Sequence, residues 1–230
     1  MPGEPRPELP RTALVLITDS SRHGHTPEGT HWLTDVVREA VFGGVNIVQL
    51  REKHLSGAQL IELGLQVRDA LSDAALFFVN GDVDAAIALG ADGIHLPEHG
   101  PHTAAVRARV GSHMLISRAV HSTEAAAWAE REGADLVQFG TLFETASKPG
   151  AIPAGIDEAR RVCNAVGIHV IAVGGITPAN AREVMDAGAA GVAVIGAILD
   201  ASDPRAAAEA LSSAIGRQTS GAVSRRTIER

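Results

Sequence analysis

The stretch His169-Val170-Ile171-Ala172-Val173-Gly174-Gly175-Ile176-Thr177-Pro178 opens the segment that decides the fold. Val170–Val173 is apolar without alternation, as a parallel strand buried on both faces reads. Two glycines break the run. Thr177-Pro178 then supplies a helix N-cap with proline in the first helical turn, and a helical pattern continues to Ala187. Gly188 suits the left-handed position that stops a helix. The next apolar run, Gly191–Ile195, follows at once. Strand, crossover helix and strand are therefore written in one short segment.

The same unit recurs outward along the chain. Strand patterns fall at Ala13–Thr18, Asn46–Leu50, Leu76–Val79, Gly93–Leu96, Met114–Ser117, Leu136–Phe139, His169–Val173 and Gly191–Ile195. Helical patterns alternate with them at Thr30–Phe42, Ser56–Leu71, Val83–Leu89, Pro101–Arg109, Ser122–Glu132, Ile156–Ala165, Pro178–Ala187 and Pro204–Ile215. Asp203-Pro204 repeats the cap-and-proline device, and Ser122-Thr123-Glu124 begins another helix. Eight strand–helix units in 230 residues predict a (β/α)8 TIM barrel of class α/β. The competing open doubly wound sheet lacks its Gly-x-Gly-x-x-Gly turn after the first strand. One barrel domain is expected over residues 11–217. Residues 1–10 and 218–230 are polar or rich in Pro, Ser and Arg, and read as loose tails.

Composition excludes several function classes. A formal charge of −7 without a basic stripe argues against nucleic acid as a partner. Tyrosine is absent and aromatic residues make up 3%, so base-stacking platforms are not expected. Cys163 is the only cysteine, which fits a reducing cytoplasm and excludes a thiolate metal cluster. No apolar run reaches membrane-spanning length, and Met1-Pro2-Gly3-Glu4-Pro5 does not begin a signal peptide. A cytoplasmic protein free of the membrane is expected.

In such a barrel, chemistry gathers where strands end and βα loops begin. Those ends carry Asp19; Gln49, Arg51 and Lys53; Asn80; His95; His121; Lys148; Gly174-Gly175; and Ile195-Gly196. Cations, an amide, imidazoles and two glycine turns suit an anionic ligand. Lys53 and Lys148 are the only lysines in a chain that otherwise writes its cations as arginine. That bias points to a need for a compact ammonium on a flexible stem. The Gly174-Gly175 and Ile195-Gly196 turns expose backbone N–H groups at the last two strand ends, where barrels cradle phosphate. The plainer reading of these glycines is tight strand–helix packing.

His121 follows strand five and titrates near neutrality, so it can take and return a proton; the plainer reading is a capping or packing histidine. His95 reads as an inward-pointing barrel histidine in a hydrogen bond. His23 and His25 have metal-ligand spacing but no acidic or cysteine partner close in sequence. Glu52 has the chemistry of a catalytic acid, but its plainer reading is an internal salt bridge with Arg51 and Lys53; Asp82 and Asp84 read as helix-start charges.

Taken together, Gln49-Leu50-Arg51-Glu52-Lys53, Val79-Asn80, Ala91-Asp92-Gly93-Ile94-His95-Leu96, Thr145 with Lys148, and Val173-Gly174-Gly175-Ile176-Thr177 resemble the thiamine phosphate synthase superfamily, from about Ala13 to Ile215. The resemblance implies a (β/α)8 barrel and a thiazole phosphate ligand. It implies that Arg51, Lys53, Asn80 and Lys148 hold a pyrophosphate or another anionic group. The thiazole phosphate would sit on Gly174, Gly175, Ile195 and Gly196. Synthases of the superfamily usually place one Asp after the asparagine and another beyond the His-Leu-Gly strand end, and these bind magnesium. Gly81 and Gly100 stand there instead, and glycine offers magnesium no anionic oxygen. Asp82 or Glu98 would need a shifted loop to substitute. Ala119 replaces the usual serine two residues before the histidine.

These departures resemble the thiazole tautomerase branch: Asn80-Gly81, Leu96-Pro97, Arg118-Ala119-Val120-His121-Ser122, and Phe139-Gly140-Thr141-Leu142-Phe143-Glu144-Thr145 before Lys148. The complete Gln-Leu-Arg-Glu-Lys is synthase-like. The resemblance implies a tautomerase of thiamine biosynthesis without cofactor or metal. His121 would be its proton shuttle, with Gln49, Arg51, Lys53, Asn80, Arg118, Thr145 and Lys148 around the substrate. The branch implies aromatisation of a carboxylated thiazole phosphate, and the superfamily implies a homodimer. One alternative is a thiamine phosphate synthase, which needs Mg2+ and a pyrimidine pyrophosphate. The other is a non-catalytic regulatory protein that binds a phosphate ligand.

Overall fold

The computed structural model describes residues 6–24 and 27–216, with only the backbone of 27–30. Eight parallel strands close into a barrel in sequence order. They are β1 (Ala13–Ile17), β2 (Ile47–Leu50), β3 (Leu76–Asn80), β4 (Gly93–Leu96), β5 (Leu115–Val120), β6 (Leu136–Phe139), β7 (His169–Val173) and β8 (Gly191–Val194). β1 pairs with both β2 and β8, which closes the ring. The α-helices are α1 (Pro27–Phe42), α2 (Gly57–Leu71), α3 (Val83–Ala88), α4 (Thr103–Val110), α5 (Thr123–Arg131), α6 (Gly155–Ala165) and α7 (Ala181–Asp186) between strands, then the single turn α8 (Gly196–Leu199) and α9 (Pro204–Ala214) after β8. This is the (β/α)8 TIM barrel expected from the sequence.

Strand residues alternate between two cores because side chains on a strand point to opposite faces. Leu14, Leu16, Val48, Leu50, Val79, Ile94, Leu96 and Ile116 face outward and pack with the helices. Val15, Ile17, Ile47, Phe78, Leu115, Leu136, Ile171 and Ala193 fill the barrel interior. Phe78 is 1% exposed. A Cβ on its register partner Gly93 would lie 2.4 Å from the Phe78 ring, so the glycine makes room for that ring.

Above this apolar layer the inward positions turn polar. Gln138 donates to Gln49 at 2.6 Å, and Gln49 donates to Asn80 at 3.0 Å. His95 Nδ1 and Ser117 Oγ lie 2.9 Å apart. Each polar group buried there has a partner, which offsets the cost of taking it out of water. The interior is therefore apolar at its base and hydrogen-bonded towards the C-terminal mouth.

Several boundaries differ from the sequence reading. Asp203 caps α9 through Ala206 N and Ser122 caps α5 through Ala125 N, as expected. Thr177-Pro178 does not start α7. Thr177 N instead donates to Asn180 Oδ1 at 2.8 Å, and Asn180 Nδ2 donates to Gly175 O at 3.0 Å. That local turn delays the helix to Ala181, because a short amide side chain offers the backbone an alternative partner. α8 was not foreseen, since one turn is too short to show a period. Residues 6–10, read as part of a loose tail, are fastened: Leu9 packs against the interior core and Arg6 pairs with Asp135. The segment 218–230 lies outside the described residues.

Candidate active site

The C-terminal strand ends form the rim on which the expected site residues lie. At β1 and β2 the rim is clasped by Glu52, whose carboxylate is buried. It accepts from Thr18 Oγ1 at 2.6 Å, Ser20 N at 2.9 Å and Ser20 Oγ at 2.6 Å. Thr18 Oγ1 also accepts from Arg51 N at 2.9 Å. The expected salt bridge of Glu52 with Arg51 and Lys53 is thus replaced by a clasp across two strands. The reason is local: Thr18 and Ser20 present three donors to one carboxylate in a water-poor corner. Arg51 and Lys53, freed from Glu52, lie half-buried and exposed respectively.

At β3, Asn80 accepts from Gln49 and is followed by Gly81 at φ +78°. Asp82 uses its carboxylate to cap α3 through Ala85 N at 2.9 Å. At β4, His95 is 6% exposed. Burial, followed by the positive charges of Arg51 and Arg118, lowers its pKa to about 3, so its ring is neutral. This matches the reading of His95 as an interior hydrogen-bonded histidine.

Past β4 the chain turns tightly, with Gly100 N donating to Pro97 O at 2.9 Å. Arg118 of β5 holds this turn. Its guanidinium donates to Pro101 O at 2.5 Å and to Glu98 O at 2.8 Å, and lies 5.6 Å from the Trp128 ring. Arg118 is 4% exposed, and burial depresses its pKa against the opposing charges of Glu98 and Glu132. The Arg118 donors thus already serve the protein's own main-chain carbonyls.

His121 sits in the one-residue turn between β5 and Ser122, the N-cap of α5. Its Nδ1 hydrogen-bonds to Gly140 O, just past β6. Its Nε2 is 3.6 Å from Glu98 Oε2. A carbonyl only accepts, so Nδ1 carries a proton and Nε2 is the basic nitrogen of the neutral ring. A ring pinned by one nitrogen and half open at the other has the arrangement a proton carrier needs.

The loop after β6 leans on β7: Leu142 N donates to Val173 O, and Phe143 N to Gly174 O, both at 3.0 Å. A Cβ on Gly175 would lie 2.3 Å from Glu144 O, so only glycine allows this approach. The concave wall beyond is lined by Glu144–Ala146, Lys148 and Gly150–Pro153. Lys148 and the Gly174-Gly175 turn thus belong to neighbouring loops. The Ile195-Gly196 turn is next along the rim, where Asp200 Oδ2 would be 2.5 Å from a Cβ on Gly196.

Three features were missed by sequence reading. Arg22, after β1, binds the Asp200 carboxylate at 2.5 Å and reaches Ser147 Oγ at 3.4 Å, joining the β1, β6 and β8 loops. Glu98 faces His121. Thr18 and Ser20 hold Glu52. None has a sequence signal beyond its place at a strand end, because each depends on a partner far away in the chain. His23 stacks on Trp32 with ring centroids 4.0 Å apart; His25 lies outside the described residues.

The magnesium corner implied by the resemblance fails a test of fit. Gly81 and Gly100 supply no side-chain oxygen, Asp82 is engaged as a helix cap, and Glu98 faces His121. Among the described residues no group of three His, Cys, Asp or Glu side chains is placed to hold a metal ion. Among the same residues no helix is long and apolar enough to cross a membrane.

Comparison with known proteins places this geometry in a family. A family profile described as Thiamine monophosphate synthase matches residues 14–198. A putative thiamine-phosphate synthase of Geobacter sulfurreducens is 44% identical over 202 residues, 86% of this chain and 92% of the relative. A thiamine-phosphate synthase of Chloroflexus aurantiacus is 41% identical over 178 residues, 76% of this chain and 82% of the relative. Among solved structures, thiamine phosphate pyrophosphorylase from Pyrococcus furiosus superposes with a TM-score of 0.77 at 32% identity, covering 89% of this chain and 96% of that one. The names of these relatives favour the synthase alternative over the tautomerase branch. By the extent of these matches, the chain belongs to the thiamine monophosphate synthase family.

Proposed function

We propose that the protein is an enzyme of thiamine biosynthesis that binds a thiazole phosphate at the barrel mouth and shifts a proton on it. The reaction is the aromatisation of a carboxylated thiazole phosphate. The C2–H bond breaks, its electron pair enters the ring, the exocyclic double bond opens, and the exocyclic carbon takes a proton. His121 Nε2 removes the first proton and the resulting imidazolium delivers the second. Arg51 and Lys53 face the carboxylate, and Gln49, Asn80, Thr145 and Lys148 line the ligand. The backbone N–H groups of Gly174-Gly175 and Ile195-Gly196 hold the phosphate. Aromaticity drives the step, so a positioned acid/base worth about 10²–10⁴-fold suffices, without metal or cofactor.

The observation that carries this reading is how the carboxylates after β3 and β4 are used. Asp82 caps a helix and Glu98 faces the imidazole, so each carboxylate is engaged with the protein's own groups. A second reading is supported by the names of the relatives at 41–44% identity: a thiamine phosphate synthase joining a pyrimidine pyrophosphate to the thiazole phosphate.

One pair of assays separates them. The purified protein is given the unsaturated thiazole carboxylate phosphate and followed by ultraviolet absorbance for the aromatic product, with and without EDTA. In parallel it is given the pyrimidine pyrophosphate, thiazole phosphate and magnesium, and assayed for released pyrophosphate. Aromatisation that EDTA leaves intact supports the tautomerase. Magnesium-dependent pyrophosphate release without aromatisation overturns it in favour of the synthase. Phosphate-ligand binding with neither activity points to the regulatory alternative.

A further inference from the structure

We propose that Glu98 is the charge partner of His121, set in place by Arg118, and that its carboxylate complements the positive charge the ring gains when Nε2 takes a proton. The inference deepens the proton-shift reading and rests on it for its kinetic consequence, though not for the pairing itself. Gly140 O can only accept, so Nδ1 of His121 must donate to it. In a neutral ring, Nε2 then presents a lone pair to Glu98 Oε2, 3.6 Å away. An ionised carboxylate is also an acceptor. The two attract once Nε2 carries a proton, because the ring is then a cation beside a carboxylate.

The placement of Glu98 is built by its surroundings. The turn Pro97–Gly100 is closed by its own hydrogen bond. A Cβ on Gly100 would lie 3.0 Å from Pro97 Cδ, Cγ and O, which keeps the turn tight. Arg118 grips the turn by the carbonyls of Glu98 and Pro101 and approaches that of Gly100 at 3.5 Å. Arg118 lies within β5 and His121 directly follows it, so β5 supplies both the base and the anchor that sets its partner. Among the described residues, His99 Nε2 lies 3.8 Å from Glu98 Oε2, and the Arg118 guanidinium also acts on Glu98 through its charge.

In the reaction, Nε2 of the neutral ring accepts the C2 proton, and the Glu98 carboxylate faces the positive charge so formed. The imidazolium so formed protonates the exocyclic carbon. Protons balance, because the one taken from C2 is the one delivered to the exocyclic carbon, and the ring returns to neutral. Glu98 acts through His121 and is a positioning residue.

The test uses the full chain labelled with nitrogen-15 at histidine, with the His121 signals assigned by their loss in His121→Asn. In Glu98→Gln the ring nitrogens of His121 should shift, and more than those of His95, which has a separate partner. Unchanged His121 signals would overturn the pairing. This readout needs no substrate, so it stands if the enzyme proves not to be a tautomerase. With the thiazole substrate, Glu98→Gln should lower kcat about tenfold or more at similar KM, and Glu98→Asp should recover part of the loss. Unaltered kcat in Glu98→Gln would overturn the catalytic consequence. Thermal melting of each variant checks the fold; if Glu98→Gln does not fold, Glu98→Asp carries both readouts, and its failure to alter either would refute the proposal.

Discussion

Acidification should weaken this barrel through one residue, His95. Its folded pKa is about 3, against 6.5 for an unperturbed histidine. The sign follows from proton counting: between those values the unfolded chain binds a proton that the folded barrel refuses. The contribution is complete above pH 6.5 and is lost as pH falls towards 3. At pH 5 the unfolded imidazole is almost wholly protonated and the folded one is not, so the loss is ~2 kcal/mol. At pH 4 it is ~3 kcal/mol. These are large fractions of a typical domain stability of about 5–15 kcal/mol. The assay is urea unfolding of wild type and His95→Gln at pH 8, 7, 6 and 5. Glutamine can hydrogen-bond Ser117 but cannot titrate. Between pH 8 and pH 5 the wild type should lose ~2 kcal/mol more than the variant, since other titrating groups act alike in both. Parallel stability curves would refute the reasoning, and so would a steeper fall in the variant.

Other outcomes can be measured on the same protein. His121→Asn should retain fold and ligand binding but lose kcat by about 10²-fold or more, as steady-state kinetics and circular dichroism would show. Near-normal turnover would leave the shuttle to another group. Lys53→Ala should raise KM with little change in kcat, because its ammonium complements ground-state charge; a kcat loss at constant KM contradicts that role. Gly191→Ala puts a Cβ 2.2 Å from Ala13 O at the β1–β8 seam. Overpacking of that kind costs about 1–3 kcal/mol, visible as a lowered melting temperature. Sulfate soaked into crystals should occupy the Gly175 and Gly196 turns without metal, and empty turns would count against the phosphate cradle.

The strand–helix rhythm was legible because both its parts are local. Apolar runs such as Val170–Val173, the Asp203 and Ser122 caps and the glycine stops state their conformation within a few residues. Eight repeats then allow few topologies. The rim residues were legible for the same reason, since a barrel puts strand ends on one face. What was misread depended on short competing contacts: Asn180 drew Thr177 into a turn, and α8 was a single helical turn without a period.

The sequence by itself therefore determined the barrel, the family resemblance and the identity of the polar residues at its mouth. It also determined that glycine, not a carboxylate, stands at positions 81 and 100. Which side chain faces which was decided by the tertiary structure alone. Glu52 turned from its neighbours Arg51 and Lys53 to Thr18 and Ser20, more than thirty positions away. Arg118 was drawn onto the turn after β4, and that turn brought Glu98 to His121, 23 positions on. Such pairs carry no periodicity along the chain. They arise because closing a parallel barrel sets consecutive strand ends side by side, and buried charge must then find its partner across the seam.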